Sequence, residues 1–241
     1  MKLQDISFPT TKENILFDDV LLALAEEGQG GEVLRFWESS DTAVVLGRIG
    51  QWKNDVQTDA VTRDKIPVLR RSSGGGTVVQ GPGCLNFSFI LSKDHHSPLH
   101  DLKKSYQFIL SYVMEALSAQ GFKVRFKPIS DLVVQQDDKK FSGNAQKRGR
   151  KFILHHGTIL HDFDLKLIEK YLRFPKDIPE YRRGRPHLDF VANLPVAVDR
   201  FKRDLGGRFG IAAAERDWGR AEMEKLTDFI QNKDVTVNLA E

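Results

Sequence analysis

The 241-residue chain has a single cysteine, Cys84. No intramolecular disulfide can form, which excludes a disulfide-stapled scaffold and suits a reducing compartment. No apolar run approaches the roughly 18 residues needed to span a membrane. The opening segment, MKLQDISFPTTKEN, lacks the apolar core of a signal peptide. The expectation is therefore a cytoplasmic protein that uses no membrane. Nor does either sign of charge dominate: 36 Lys and Arg face 33 Asp and Glu, a formal +3 with a pI near 8.9. That surplus is too small to argue for nucleic acid. It suits a phosphorylated substrate or an acidic partner equally well. Internal repeats, low-complexity tracts and Pro/Gly/Ser-rich linkers are also missing.

Periodicity supplies what is present. Thr10 and Glu13 have capping-box spacing, and Ile15, Leu16, Val20 and Leu24 then recur at helical intervals. Strands are expected at Val33–Trp37 and Ala43–Leu46, and a short helix over Asp55–Arg63. Pro67–Arg71, Thr77–Gln80 and Cys84–Leu91 read as strands broken by glycine turns. An amphipathic helix over Leu102–Gln120 follows, with Tyr106, Ile109, Leu110, Val113 and Leu117 on one stripe. Further strands are expected at Lys123–Phe126, Asp131–Gln136, Lys140–Gln146 and Phe152–Leu160, and a helix from Asp164 to before Pro175. Beyond Lys176, helices are expected at Val196–Leu205 and Glu215–Gln231. Helix, sheet, helix, sheet, helices describes an α/β chain of α+β type on a mixed, mainly antiparallel sheet. The strands are not each followed by a helix, which argues against a doubly wound dinucleotide fold. The glycines also lack both the G-x-G-x-x-G spacing and a GK[ST] ending.

Two segments carry chemistry. In LRRSSGGGTVVQGPGCLNFSFIL, Gly74, Gly75 and Gly76 let backbone N–H groups approach a ligand, with Arg70 and Arg71 beside them for a phosphate or carboxylate. A flexible hairpin flanked by solvated charges has equal standing. Alternation then sets Leu85, Phe87 and Phe89 on one strand face, and Cys84, Asn86, Ser88 and Ile90 on the other, which can line a cleft. In SDLVVQQDDKKFSGNAQKRGRKFILHHGTIL, period two gives Lys140, Ser142 and Asn144 a common face, where an ammonium can hold a phosphate and an acyl oxygen. The competing reading is that Lys139 and Lys140 are solvated turn charges. His155 and His156 point opposite ways, so they cannot pair on a metal. Lys147, Arg148, Arg150 and Lys151 read as a solvated hairpin tip or a contact for an acidic partner.

Together RRSSGGGTVVQGPGCLNFSF, SDLVV, KKFSGNAQ and LHHGTIL, with RFWESSDTAVVLGR before them, resemble the lipoate–protein ligase family of the biotin/lipoate ligase superfamily. The likeness covers roughly Glu13 to Tyr171. It implies a catalytic fold related to class II aminoacyl-tRNA synthetases, with 1–241 a single catalytic domain. Residues 176–241 would then be a short helical extension, without a large accessory domain unless another chain supplies one. It implies ATP and Mg²⁺ as cofactors, lipoic acid or octanoate as substrate, and an apo lipoyl carrier domain as protein partner. The acid first forms acyl-AMP, and a carrier lysine then takes the acyl group.

The resemblance also implies residue roles. Lys140 is the active-site lysine. Arg70, Ser72, Gly74, Gly75 and Gly76 belong to the loop around the acyl-adenylate. Asn86 is a phosphate-side contact, and Asp131 the acidic group near the nucleotide and its Mg²⁺. Ser142, Gly143, Asn144 and Ala145 lie beside the adenylate, and Trp37, His156 and Gly157 line the acyl slot. The rivals are an ATP-independent octanoyl transferase with Cys84 as nucleophile, a biotin ligase, and a non-catalytic module that binds a lipoylated partner or nucleic acid through Arg148 and Arg150.

Overall fold

The computed structural model describes residues 1–211 and 218–239. The elements run β1 (Lys2–Asp5), α1 (Thr11–Glu26), β2 (Val33–Trp37), β3 (Ala43–Leu46), α2 (Trp52–Asp55), α3 (Thr58–Arg63), β4 (Val68–Arg70), β5 (Val78–Gln80) and β6 (Cys84–Ser92). They continue α4 (Leu102–Ser118), β7 (Val124–Lys127), β8 (Asp131–Val134), β9 (Lys140–Arg148), β10 (Phe152–Leu160), α5 (Lys166–Tyr171), α6 (His187–Phe190), α7 (Val198–Arg208) and α8 (Arg220–Asn232). Seven strands form one sheet in the order β1-β2-β6-β10-β9-β8-β7, and three form a second, β4-β3-β5. In the large sheet only β1 and β2 pair in parallel, as a mainly antiparallel reading requires.

The pleat sorts the core. On one face Leu85, Phe87, Phe89 and Leu91 of β6 meet Ile109, Leu110, Val113 and Leu117 of α4. On the other, Ile90 and Leu154 meet Leu16, Val20 and Leu24 of α1. Burying each such side chain contributes about 1.5–3 kcal/mol. The start of α1 is fixed as its spacing predicts: Glu13 N donates to Thr10 Oγ1 at 3.2 Å, and Thr10 N to Glu13 Oε2 at 3.1 Å. Among these apolar residues lies a charged pair. Arg35 Nη1 donates to Asp18 Oδ1 at 2.7 Å, with both residues almost fully buried. Burial pushes the Asp18 carboxyl upward, yet Arg35, His156 and Ser88 together outweigh it and hold Asp18 below its ordinary range.

The structure adds one strand and changes one helix expectation. The opening segment forms a strand, because Lys2–Asp5 finds the free edge of β2. The helix expected over Asp55–Arg63 is two short helices, since Val56 leaves the helical path to bridge Leu172. The first residues of the helix expected at Glu215–Gln231 lie outside the described residues, and α8 begins at Arg220. The segment after α8 returns to the small sheet: Arg70 N donates to Val235 O at 2.7 Å, and Val237 N to Val68 O at 2.8 Å. It thus pairs with β4 along its outer edge.

One buried group gives the fold a pH dependence. His155 is fully buried, and burial first, then the neighbouring His156, pulls its pKa from 6.5 to about 3. Between these values the unfolded chain binds a proton that the folded chain refuses. Stability from this group is therefore complete above about pH 6.5 and falls by about 1.4 kcal/mol per unit as pH drops toward 3. Urea unfolding of wild type and His155→Gln at pH 7 and pH 5 checks this. The wild type should lose the larger share of its stability.

Candidate active site

The polar face of the large sheet is built by an irregularity in β9. Asp131 pairs with Gly143 and Leu132 with Ser142, but Val133 then pairs with Lys140. Phe141 is the extra residue of a β-bulge, and it turns into the α4 core with Leu132. Lys140 therefore lands on the face of Asp131 and Gly143. Its Nζ lies 2.8 Å from Asp131 Oδ1, and a Cβ built on Gly143 would stand 3.0 Å from that nitrogen. The expectation of one face for Lys140, Ser142 and Asn144 is corrected by this bulge. Ser142 and Asn144 do share a face, with Asn144 Nδ2 3.2 Å from Ser142 Oγ, but it is the opposite one.

Asp131 is held from its other side by a residue that sequence reasoning missed. The Tyr181 hydroxyl donates to Asp131 Oδ2 at 2.6 Å. Burial, and then Asp131, raise the phenol well above its ordinary pKa. Tyr181 comes from a short segment without periodicity, which Arg185 ties to the β8–β9 turn through the Asp138 and Tyr181 carbonyls at 3.1 and 3.2 Å. Both Asp131 oxygens are thus engaged. A Mg²⁺ there would compete with the Lys140 ammonium at the same carboxylate. Among the described residues no three side chains form a metal-capable group. In this geometry the residues do not offer a ready Mg²⁺ site.

The glycine loop between β4 and β5 closes over the same face. Arg71 is its internal scaffold: Nε donates to Ser73 Oγ at 3.1 Å, Nη1 to Val45 O at 3.2 Å, and Nη2 to Gly74 O and Gly76 O at 2.6 and 2.8 Å. Burial lowers this guanidinium to a pKa of about 10. Its partners are dipoles rather than a carboxylate, so the loop keeps an uncompensated positive charge that suits an anion. Gly75 has φ +84°, and a Cβ on it would meet Ala145 Cβ at 3.4 Å. The loop therefore lies against β9 two residues beyond Gly143, roughly 7 Å along the strand from the Lys140 amine. Gly74 and Gly76 have open space where a Cβ would project. Gly47, just past the end of β3, faces the same loop closely: a Cβ there would overlap the Gly75 carbonyl.

Three further side chains of the loop anchor it. Ser72 Oγ donates to Asp19, and Lys147 Nζ reaches the same Asp19 oxygen at 3.1 Å. Ser73 Oγ and His156 Nε2 are 2.6 Å apart. Thr77 Oγ1 donates to Asp55 Oδ2 at 2.6 Å. Beneath it, Ser88 Oγ donates to Asp18 Oδ2 at 2.6 Å, and His156 Nδ1 stands 3.9 Å from that oxygen. His156 thus joins the loop to the Arg35–Asp18 pair. Lys147 is not the solvated tip charge expected. Arg148 also turns inward, donating to Gln146 Oε1 at 3.1 Å and to Leu99 O.

The remaining candidates divide. Arg70 Nη1 donates to Gly47 O, Arg48 O and Gly50 O at 3.1, 3.2 and 2.7 Å, so in this geometry it braces the neighbouring turn. Asn86 exchanges two hydrogen bonds with Gln80, at 2.9 and 3.0 Å, which lock β5 to β6. Trp37 lies on the polar face, buried among Ile15, Ala43, Val45 and Leu69, and its buried indole Nε1 lacks a hydrogen-bond partner. His156 shares that face. Gly157 does not: a Cβ there would overlap Asn144 Oδ1 and Phe87 Cζ on the α4 side. Cys84 is buried among apolar side chains, and burial pushes its thiol far up, which disfavours a thiolate nucleophile.

The site thus sets an ammonium over a bare strand, faced by a cationic glycine loop. The fold has solved relatives. A bi-partite lipoate protein ligase from Thermoplasma acidophilum, described with its E2 lipoyl domain, superposes with a TM-score of 0.81 at 23% identity, covering 96% of this chain and 92% of that one. A lipoate-protein ligase A bound with ATP superposes at 0.79 and 22% identity, covering 96% and 94%. In sequence, a probable lipoate-protein ligase A of Mycoplasma pneumoniae is 32% identical over 163 residues, which is 68% of this chain. The match spans 46% of that relative's length. Residues 10–204 match the lipoyl protein ligase A/B catalytic domain family, and the chain belongs to it.

The Arg71 scaffold is open to test. Four hydrogen bonds to a charged group are worth more than about 1.5 kcal/mol each where they are buried. Arg71→Lys, which keeps the charge and loses the fork, should speed amide exchange across Ser72–Thr77 at least about tenfold while β6 stays protected. Hydrogen–deuterium exchange by mass spectrometry reads both segments, and an unchanged loop would assign its order to the other anchors.

Proposed function

We propose that this chain is an ATP-dependent lipoate–protein ligase. It activates lipoate or octanoate as acyl-AMP and transfers the acyl group to a lysine of a lipoyl carrier domain. In the first step a carboxylate oxygen attacks the α-phosphorus of ATP, and the bond to pyrophosphate breaks. In the second the carrier amine attacks the acyl carbon, AMP leaves with the bonding electrons, and the amine proton passes to solvent. Both steps build negative charge on oxygens between phosphorus and acyl carbon. One observation carries the reading: the Lys140 amine lies over Gly143, while the Gly75 backbone lies over Ala145 on the same face of the same strand. Small residues leave the strip between them flat enough for an acyl-adenylate to rest on.

The Lys140 amine, 2.8 Å from Asp131 Oδ1, is held in place to stabilise that charge. Pre-oriented charge of this kind is worth about 3–4 kcal/mol. The loop supplies N–H groups and the field of Arg71. Trp37 and His156, on the same face, are suited to the acyl chain. The ATP and lipoyl domain described with the two structural relatives are consistent with these assignments.

The decisive experiment mixes the protein with a purified apo lipoyl domain and lipoate or octanoate, with and without ATP, and weighs the carrier. Acylation should require ATP. Lys140→Ala should stay folded by circular dichroism and lose at least about a hundredfold in turnover. Cys84→Ala should keep near-wild-type turnover. Acylation from a carrier thioester without ATP, lost in Cys84→Ala, would instead establish the transferase.

A further inference from the structure

The α4 side of the sheet carries a row of buried polar groups that the proposed chemistry does not touch. Their hydrogen-bond directions follow from Arg148, which can only donate. Its Nη1 lies 3.1 Å from Gln146 Oε1, so that atom is the amide oxygen. The Gln146 amide nitrogen then faces His155 Nδ1 at 3.1 Å, and Nδ1 must accept. A neutral imidazole that accepts at Nδ1 carries its proton on Nε2. This nitrogen lies 3.3 Å from Asn144 Oδ1 and donates to it. Asn144 is thereby oriented as well, and its Nδ2 donates to the Ser130 carbonyl at 2.9 Å. Ser130 is the residue before Asp131, in a turn whose tip, Ile129, is 76% exposed.

We propose that His155 is a positioning residue for the catalytic pair. The directed chain from Arg148 through Gln146, His155 and Asn144 grips the Ser130 carbonyl from the far side of the sheet. It fixes where β8 begins and so where the Asp131 carboxylate meets the Lys140 amine. The proposal rests on the reading of Lys140 and Asp131 as working residues. The strands transmit the constraint: Asn144 adjoins Gly143, which pairs with Asp131, and the Lys140 amine lies over Gly143. Burial supports the chain as well, because it disfavours the imidazolium, whose second N–H at Nδ1 would face the Gln146 amide nitrogen. Tyr181 braces the carboxylate from the opposite side, so loss of His155 displaces Asp131 without freeing it. Displacements near 1 Å cost up to about a hundredfold in rate.

The test compares wild type, His155→Phe, His155→Gln, Asn144→Ala and Val113→Ala, each shown folded by circular dichroism at the assay temperature. Two quantities are read: the steady-state constants for acyl-AMP formation, and the reactivity of Lys140 toward trace acetic anhydride relative to the other lysines, by peptide mass spectrometry. His155→Phe and Asn144→Ala should lower kcat about tenfold with KM for ATP little changed, and should raise Lys140 labelling. His155→Gln, which keeps a donor and an acceptor, should recover most of both. Val113→Ala, a cavity in the same core, should lose stability and leave both readouts at wild type. Unchanged kcat and labelling in Asn144→Ala, or the same rise in Val113→Ala, overturns the proposal. If wild type forms no acyl-AMP, the functional reading fails, and Lys140 labelling still decides the role of His155. Should His155→Phe not fold, Asn144→Ala carries the comparison.

Discussion

A β-strand assigns alternate residues to opposite faces, and the candidate site depends on one break in that rule. In regular pleat Lys140 would project with Ser142 and Asn144 toward α4, among the buried phenylalanines. The extra residue Phe141 turns it over. The bulge thus solves two problems at once: it gives the α4 core a buried aromatic, and it delivers an ammonium to the polar face beside Asp131. Without an ion-pair partner, a cation half-withdrawn from water would be costly. The carboxylate at 2.8 Å is what lets the amine stay on that face.

The second requirement is a loop that combines glycine freedom with order. Three glycines in a row would wander without tethers, because each loses more backbone entropy than any other residue when fixed. Here the tethers are side chains outside the triplet. Arg71 fills the interior of the loop, and Ser72, Ser73 and Thr77 reach Asp19, His156 and Asp55. Through His156 these tethers reach Asp18 and Arg35. Removing one member of a buried ion pair costs about 3–5 kcal/mol, far more than the intact pair contributes. The pair therefore enforces one register between α1 and β2, and with it one position for the loop.

How much of this was legible in the sequence follows from the range of each interaction. The capping box, the alternation of β6 and the opposite sense of His155 and His156 are local, and they stand as read. Lys140 and the glycine run were singled out from local sequence, and the fold brings them to one face of β9. What period two could not reveal was the bulge, because nothing in KKFSG distinguishes a regular strand from one with an extra residue. Tyr181 was invisible for a different reason: its hydroxyl meets Asp131 from 50 residues away, through a segment with no period to read. Gly47 and the partners of Arg70 likewise depend on the packing of one turn against another. The strand β1 and the return of Val235–Val237 to β4 are edge pairings, which are set by an available neighbour rather than by local preference.

The two faces of the sheet then divide the work by dielectric. On the α4 side the polar groups are buried and directed, and a neutral His155 lets each donor meet one acceptor. Such a row carries no net charge except at its Arg148 end, so it can be rigid without attracting ions. On the opposite side Lys140 is paired with one carboxylate, while Arg71 is surrounded by carbonyls and left uncompensated. An anionic ligand is drawn to the second face because it offers what the first withholds, a positive field with room above it. The strands between them are common to both, so the neutral side and the spacing of charge on the other face share one backbone.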